Sequence, residues 1–252
     1  MFDLLIRNAQ VLNGTGAPAY LADVAVKDGK IAAVGKLSGE AAETVDAAGL
    51  TLAPGFIDVH GHSDFFMPLD PARASKLLQG VTTELCGQCG LGPAPVTEQN
   101  YPVYHKYLSQ QGIPMYPDDR TFTSFSAYLS RMEQTPAGIN LAYFIPHGTV
   151  RLAVMGFSHD APDDRQLAQM RELVEDAMQA GALGLSTGLA YAPGRFAATD
   201  ELAALTEPVG RYGGVYTSHL RDQGDQLEQS VQEAIDIARR GGARVNVSHH
   251  QA

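Results

Sequence analysis

The segment Pro54-Gly55-Phe56-Ile57-Asp58-Val59-His60-Gly61-His62 ends an apolar run in two histidines one residue apart. On a β-strand, residues i and i+2 face the same side. His60 and His62 are therefore expected to present two imidazoles together, and Gly61 leaves the opposite side open to close backbone packing. Neutral imidazoles converging at a strand end suit a borderline metal such as zinc. Two surface histidines just past a buried strand are the alternative that this pair alone leaves open.

More residues of ligand or catalytic type follow at comparable places. Six apolar runs read as strands: 56–59, 81–85, 139–145, 182–185, 214–217 and 244–247. His60 and His62 close the first. Cys86 and Cys89 follow the second, and His147 closes the third. Ser186, Thr187 and Tyr191 follow the fourth, His219 closes the fifth, and His249 and His250 close the sixth.

Helical patterns lie between several of these runs. Residues 162–180 follow Asp160, an expected N-cap, and repeat Leu167, Met170, Leu173, Val174, Ala177 and Met178 at helical spacing. Residues 225–239 repeat Leu227, Val231, Ala234, Ile235 and Ala238 and stop before Gly241-Gly242. These stripes are core. Alternating strands and helices predict a parallel sheet, open or closed into a barrel. Its C-terminal strand ends share one rim, where sites form. The joint placement of the polar residues on that rim carries the functional signal, and no single one of them does.

Some candidates keep a bland reading. Cys86-x-x-Cys89 is followed by Gly90, Gly92 and Pro93, so no helix follows to make a redox pair. One thiol as a ligand and the other as a small buried residue fits better. His147 serves as a substrate contact, as support for a neighbour, or as a satisfied loop histidine. His105 and His159 fall outside the strand ends and read as surface residues. Only one of His249 and His250 can face the rim.

Composition narrows the classes. The 252 residues are 44% hydrophobic with a formal net charge of −10, from 18 basic and 28 acidic residues. That balance argues against nucleic acid or an anionic membrane as the main partner. The first residues lack a positively charged secretory segment, and no window approaches the roughly 20 apolar residues of a membrane span. Two cysteines make no disulfide framework. The expectation is a cytoplasmic protein.

Residues 1–53 read as short strands without a helix, with a hairpin at Asp28-Gly29. Residues 90–122 break the strand–helix rhythm with Pro93, Pro95, Pro102, Pro114 and Pro117 and with Tyr101, Tyr104, Tyr107 and Tyr116. This long loop reads as a packed lid over a site.

Together these motifs resemble the amidohydrolase superfamily and, within it, the D-aminoacylase (N-acyl-D-amino-acid deacylase) family. The segments that carry the resemblance are 54–64, Gly80-Val81-Thr82-Thr83 with Cys86-Gly87-Gln88-Cys89-Gly90, Leu185 to Tyr191, Ser218-His219-Leu220-Arg221 and Ser248-His249-His250. The likeness runs the length of the chain. It implies an α/β fold: a TIM-like (β/α) barrel, here incomplete with six of eight strands, joined to part of a small N-terminal β-sandwich. Residues 1–53 then belong to the sandwich and 54–252 supply the first six βα units.

The resemblance also implies zinc as cofactor. Cys89, His219 and His249 match the tighter site, and His60 and His62 match a second, weaker one. Tyr191 matches a tyrosine near the substrate; His147 and Arg221 join it as candidate substrate contacts. The carboxylated lysine of many superfamily members has no counterpart at the fourth strand, where Ser186-Thr187 stand. The implied reaction is hydrolysis of the amide bond of a small N-acyl-D-amino acid, giving a carboxylic acid and a D-amino acid, with zinc polarising the carbonyl and activating water.

The family's general-base aspartate lies on an eighth strand. Asp64 and Asp222 do not occupy that place, so the base is expected beyond Ala252, and the chain reads as the N-terminal portion of a longer enzyme, with weak zinc binding and no catalysis alone. Two alternatives compete. A dihydroorotase- or hydantoinase-like cyclic amidase favours a bridging lysine, which Cys89 argues against. A non-catalytic relative of the same fold predicts ligand loss, whereas all five ligand-type residues are present.

Overall fold

A computed structural model describes residues 1–66, 72, 74–114 and 122–250. Tyr116 and Pro117 of the expected lid, and the last two positions of the 54–252 stretch, lie outside the described residues. The chain divides into two compact units, residues 1–56 and 57–252.

In the first unit, the two short segments expected around Ile6 and Val11 are one strand, β1 (Phe2–Val11). Asn8 adopts a left-handed φ of 61°, and the pairing register slips between Ile6 and Ala9. This bulge carries the strand across the break in its apolar alternation. β2 (Tyr20–Lys27) pairs antiparallel with β1 and with β3 (Lys30–Gly35). Asp28 and Gly29 join β2 to β3 with φ of 52° and 69°, the signs a tight hairpin turn requires. β4 (Ala41–Asp46) and β5 (Thr51–Leu52) pair parallel with β1. Ala9, Val11, Ala22, Val24 and Ala47 form the unit's small core.

The second unit alternates strands and helices, as the α/β class requires. After β6 (Phe56–Asp58), at the junction in sequence, come α1 (Ala74–Leu77), β7 (Val81–Cys86), α2 (Tyr101–Ser109), α3 (Phe125–Glu133), β8 (Asn140–Tyr143) and β9 (Ile145–Pro146). α4 (His147–Met155), α5 (Asp164–Gln179), β10 (Gly184–Gly188), α6 (Thr199–Arg211), β11 (Val215–His219), α7 (Leu227–Gly241) and β12 (Arg244–Ser248) follow. One sheet has the order β6-β7-β8 and the other β12-β11-β10-β9. β7 pairs parallel with β8, and β9 to β12 pair parallel in turn. The third apolar run is split at Phe144, whose N–H donates to the Cys86 carbonyl (3.0 Å).

Outward strand residues such as Ile145, Leu185 and Tyr216 pack with Met170 and Val174 of α5, Leu202 and Leu205 of α6 and Ile237 of α7. Beside them runs a buried layer of hydroxyls. Thr187 Oγ1 donates to Ser218 Oγ (2.9 Å), and Thr217 and Ser248 share a hydrogen bond of 3.1 Å. Burying a hydroxyl without a partner costs free energy, so these strand ends satisfy one another.

Three elements depart from expectation. α5 begins at Asp164 because Asp163, and not Asp160, caps it: Asp163 Oδ1 accepts the Gln166 N–H at 2.7 Å and Gln166 returns a bond to the Asp163 N–H. α7 begins at Leu227, after Asp222 Oδ1 has accepted the N–H groups of Gly224 and Gln226 in a turn. The 90–122 stretch is not loop throughout, since it contains α2. Pro102 sits in the first turn of α2, where a missing N–H breaks no helical bond. Its Tyr101, Tyr104 and Leu108 build a separate apolar cluster with Phe65, Leu91, Val96 and Leu152. No helix among the described residues is long and apolar enough to cross a membrane.

Candidate metal centre

β6 stops at Asp58 because the Asp58 Oδ1 accepts the His60 N–H (3.1 Å), a side-chain turn that competes with the ladder. His60 and His62 thus stand in the turn after the strand, not on it. Their rings still meet, with centroids 5.5 Å apart and planes at 75°. A polar net fixes this turn from beneath. Glu84, fully buried in β7, accepts the Ser63 N–H (3.2 Å) and the Ser63 hydroxyl (2.5 Å). Lys76 of α1 bonds Asp58 Oδ2 (2.5 Å) and lies 3.6 Å from Glu84 Oε1.

Cys89 occupies the turn after β7 with φ of 58°, and His249, just past β12, has φ of 46°. Left-handed backbone is uncommon for such residues, costs on the order of 1–3 kcal/mol each, and concentrates at functional sites. The Cys89 Sγ lies 3.2 Å from His60 Nε2 and 3.2 Å from His249 Nε2. His219, at the end of β11, packs its ring 5.1 Å from that of His249.

Among the described residues two groups of ligand atoms result, His60–His62–Cys89 and Cys89–His219–His249, with the atoms of each group within 4.8 Å of one another. Cys89 belongs to both. The exposed His250 belongs to neither.

The electrostatics suit ligands waiting for a cation. Burial, then the neighbouring His249 and His62, push the His60 imidazole down to about 4. Burial and His249 also lower His62 and His219. All three are neutral at physiological pH, the form that offers a lone pair. Burial pushes the Cys89 thiol up to about 11, so a cation must displace its proton.

A cleft of about 330 Å³ opens on His62, Cys89, His219 and His249. Phe65, Phe66, Leu91 and Ile113 form an apolar wall, Gln111 adds an amide, and the Tyr191 ring packs 5.2 Å from that of His219. Tyr191 is thus brought to the cleft, and its hydroxyl donates to the Cys89 carbonyl (2.7 Å).

The structure does not bring His147 or Arg221 there. His147 is fully buried, with Nε2 3.0 Å from Glu201 Oε1, which Arg151 also contacts at 3.1 Å. Arg221 grips Glu233 (2.9 and 2.8 Å) and the carbonyls of Arg195 and Ala197. Asp64 is buried under the site, where Oδ2 accepts the Gly87 N–H (3.0 Å). Cys86 is fully buried, and burial raises its thiol well above the ordinary value.

Glu84, Ser63 and Lys76, which support the ligand turns, escape a search for ligand types, whereas Ser186 stands among the strand-end candidates of the fourth run.

An α/β scaffold bearing a histidine–cysteine cluster at its strand ends defines the class, an α/β protein with a candidate metal centre. Residues 43–252 match the Amidohydrolase family, and the chain belongs to it. D-aminoacylase of Alcaligenes xylosoxydans xylosoxydans is 38% identical over 99% of this chain and 51% of its own length. A D-aminoacylase structure described for its binuclear metal centre superposes with a TM-score of 0.90 at 36% identity, covering 99% of this chain and 52% of that one. The N-acyl-D-glutamate deacylase of Bordetella bronchiseptica, complexed with zinc and a phosphonate inhibitor, gives 0.89 at 36% identity, covering 99% and 51%. The chain spans about half the length of each of these proteins.

Proposed function

We propose that this chain carries the metal centre of a zinc-dependent hydrolase that cleaves the amide bond of small N-acyl-D-amino acids. The observation that carries the proposal is the position of Cys89 Sγ, 3.2 Å from an imidazole nitrogen of each histidine group. One thiolate with four imidazoles is a donor set that fits zinc. Cys89, His219 and His249 hold the tighter ion, and His60 and His62, sharing Cys89, hold a second, weaker one. Zinc bound there supplies Lewis acidity toward the amide carbonyl and toward water.

The chain's own residues prepare that chemistry. The half-buried His60, His62 and His219 imidazoles are held neutral and offer lone pairs, and Cys89 gives up its proton when a cation binds. The apolar wall of the cleft excludes water and receives the apolar part of the substrate. None of the described residues lining the cleft is a carboxylate, and the proton that the leaving amine needs is assigned to an acid beyond residue 252.

The six strand runs from β6 to β12 are, on this proposal, the first six of an eight-stranded barrel. Residues 1–53 are part of a β-sandwich, and the described residues of 90–122 form a wall and lid. A small-molecule substrate and a cytoplasmic setting complete the reading.

The test is release of free amino acid from a panel of N-acetyl-D- and N-acetyl-L-amino acids by the zinc-loaded full-length enzyme, which carries the acid assigned beyond residue 252. Hydrolysis confined to the D series is expected. Zinc bound at this cluster without hydrolysis of any member would overturn the proposal.

A further inference from the structure

We infer that Ser186 and Tyr191 are positioning residues for the Cys89 thiolate, an inference that rests on the metal-centre reading above. Cys89 holds a backbone conformation that its own side chain disfavours, so something outside the turn must stabilise it. Three hydrogen bonds from a distant part of the chain do so. The fully buried Ser186 Oγ accepts the Gly90 N–H (3.1 Å) and donates to the Gly87 carbonyl, gripping the chain on both sides of Cys89. The Tyr191 hydroxyl donates to the carbonyl of Cys89 itself.

These partners lie about a hundred residues further along the chain, so the grip is tertiary and not a property of the turn. β10 can come this close because residue 188 is glycine: a Cβ there would stand 2.2 Å from the Cys89 oxygen and 2.4 Å from the Tyr191 hydroxyl.

The hydrogen-bond inventory limits what else these groups do. A serine hydroxyl has one proton, and that of Ser186 goes to Gly87. A tyrosine hydroxyl also has one proton, and that of Tyr191 goes to Cys89, which leaves none to donate to a substrate carbonyl. Tyr191 thus meets both parts of the tighter site, with its hydroxyl on the Cys89 backbone and its ring against His219. The result is a sulfur held equidistant from His60 and His249.

The test replaces zinc with cobalt(II) and follows the thiolate-to-cobalt charge-transfer absorption, with zinc affinity measured separately by chelator competition. Ser186→Ala and Tyr191→Phe are expected to lose roughly 10- to 100-fold in zinc affinity and to weaken or shift the band, with circular dichroism unchanged. Wild-type affinity and band in both variants would overturn the inference. So would a Tyr191→Phe variant that raises KM alone, since that is the signature of a substrate contact. If Ser186→Ala does not fold, Tyr191→Phe, which keeps the packed ring, decides. Persistence of the band in Cys89→Ala would instead overturn the metal reading beneath the inference.

Discussion

A methyl group added at Gly61 would stand 1.8 Å from Glu84 Oε1 and 2.5 Å from its carboxyl carbon. The two residues compete for one volume, and Glu84 cannot yield it freely because Ser63 and Lys76 hold its carboxylate. The open side of the histidine turn is therefore filled by a buried acid and not by backbone. Gly61→Ala is expected to cost about 1–3 kcal/mol, the usual range for overpacking, and to lower zinc binding at the His60–His62 pair. Urea denaturation of the metal-free protein and zinc stoichiometry check it. Glu84→Ala, which empties the contested space, should recover part of the loss in a double-mutant cycle.

Because Cys89 belongs to both ligand groups and His62 to one, their removal should differ in kind. Cys89→Ala is expected to retain no zinc after dialysis, and His62→Ala to retain the tighter ion, as read by mass spectrometry. Zinc at a hundred times its dissociation constant should stabilise the wild type by about 2.7 kcal/mol, a gain that a chelator removes and that Cys89→Ala lacks.

Glu201 predicts a pH dependence. Burial raises its carboxyl pKa, but the hydrogen bond and charge of His147, followed by Arg151, outweigh burial and hold it below the ordinary 4.5. The folded state therefore favours the carboxylate. Its stabilisation is complete above about pH 4.5 and is lost as pH falls through the lower folded value. Glu201→Gln leaves the fully buried Arg151 without a counter-charge, at a cost of about 3–5 kcal/mol at neutral pH. Denaturation curves at neutral and at acid pH should show the gap to wild type closing below pH 4.5; a gap independent of pH would refute this account.

Arg221 braces Glu233 and two carbonyls through its planar fork. Lysine cannot reproduce that geometry. Arg221→Lys is expected to cost roughly 1 kcal/mol, as for a partly exposed pair, and to leave KM unchanged. A raised KM at unchanged stability would restore Arg221 as a substrate contact.

Ile113 and Leu91 present apolar surface to the cleft. Ile113→Ala is expected to lower kcat/KM for substrates with an apolar side chain or acyl group roughly tenfold, with zinc content unchanged. Equal loss across polar and apolar substrates would place Ile113 away from the bound molecule.

The residues most legible in the sequence are those whose chemistry admits few substitutes. Histidines and cysteines at the ends of apolar runs announce a cluster, because strand ends share a rim and metals select donors. Asp28-Gly29 announces its hairpin for an equally local reason, the positive φ at both positions. Partnerships across the fold are hidden. The bond between His147 and Glu201 spans 54 residues and ties down, through Nε2, a core histidine that a linear reading leaves open between substrate contact and support. The prolines of 90–122 suggested loop, yet Pro102 sits where a helix tolerates it, and only the apolar cluster around Tyr104 and Leu108 shows why α2 forms. Asp160 and Asp163 are equivalent as N-caps by type; Gln166, reaching back to Asp163, decides between them.

That same cluster around α2 has an evolutionary consequence. The segment that walls the cleft rests on an aromatic cluster that Tyr191 joins only as a partly buried neighbour, while Cys89, His219 and His249 are anchored by β10, β11 and the turn after β12. Substitutions at Gln111 or Ile113 can therefore retune which molecules enter without loosening the ligands, so that selectivity and metal chemistry can drift on separate clocks.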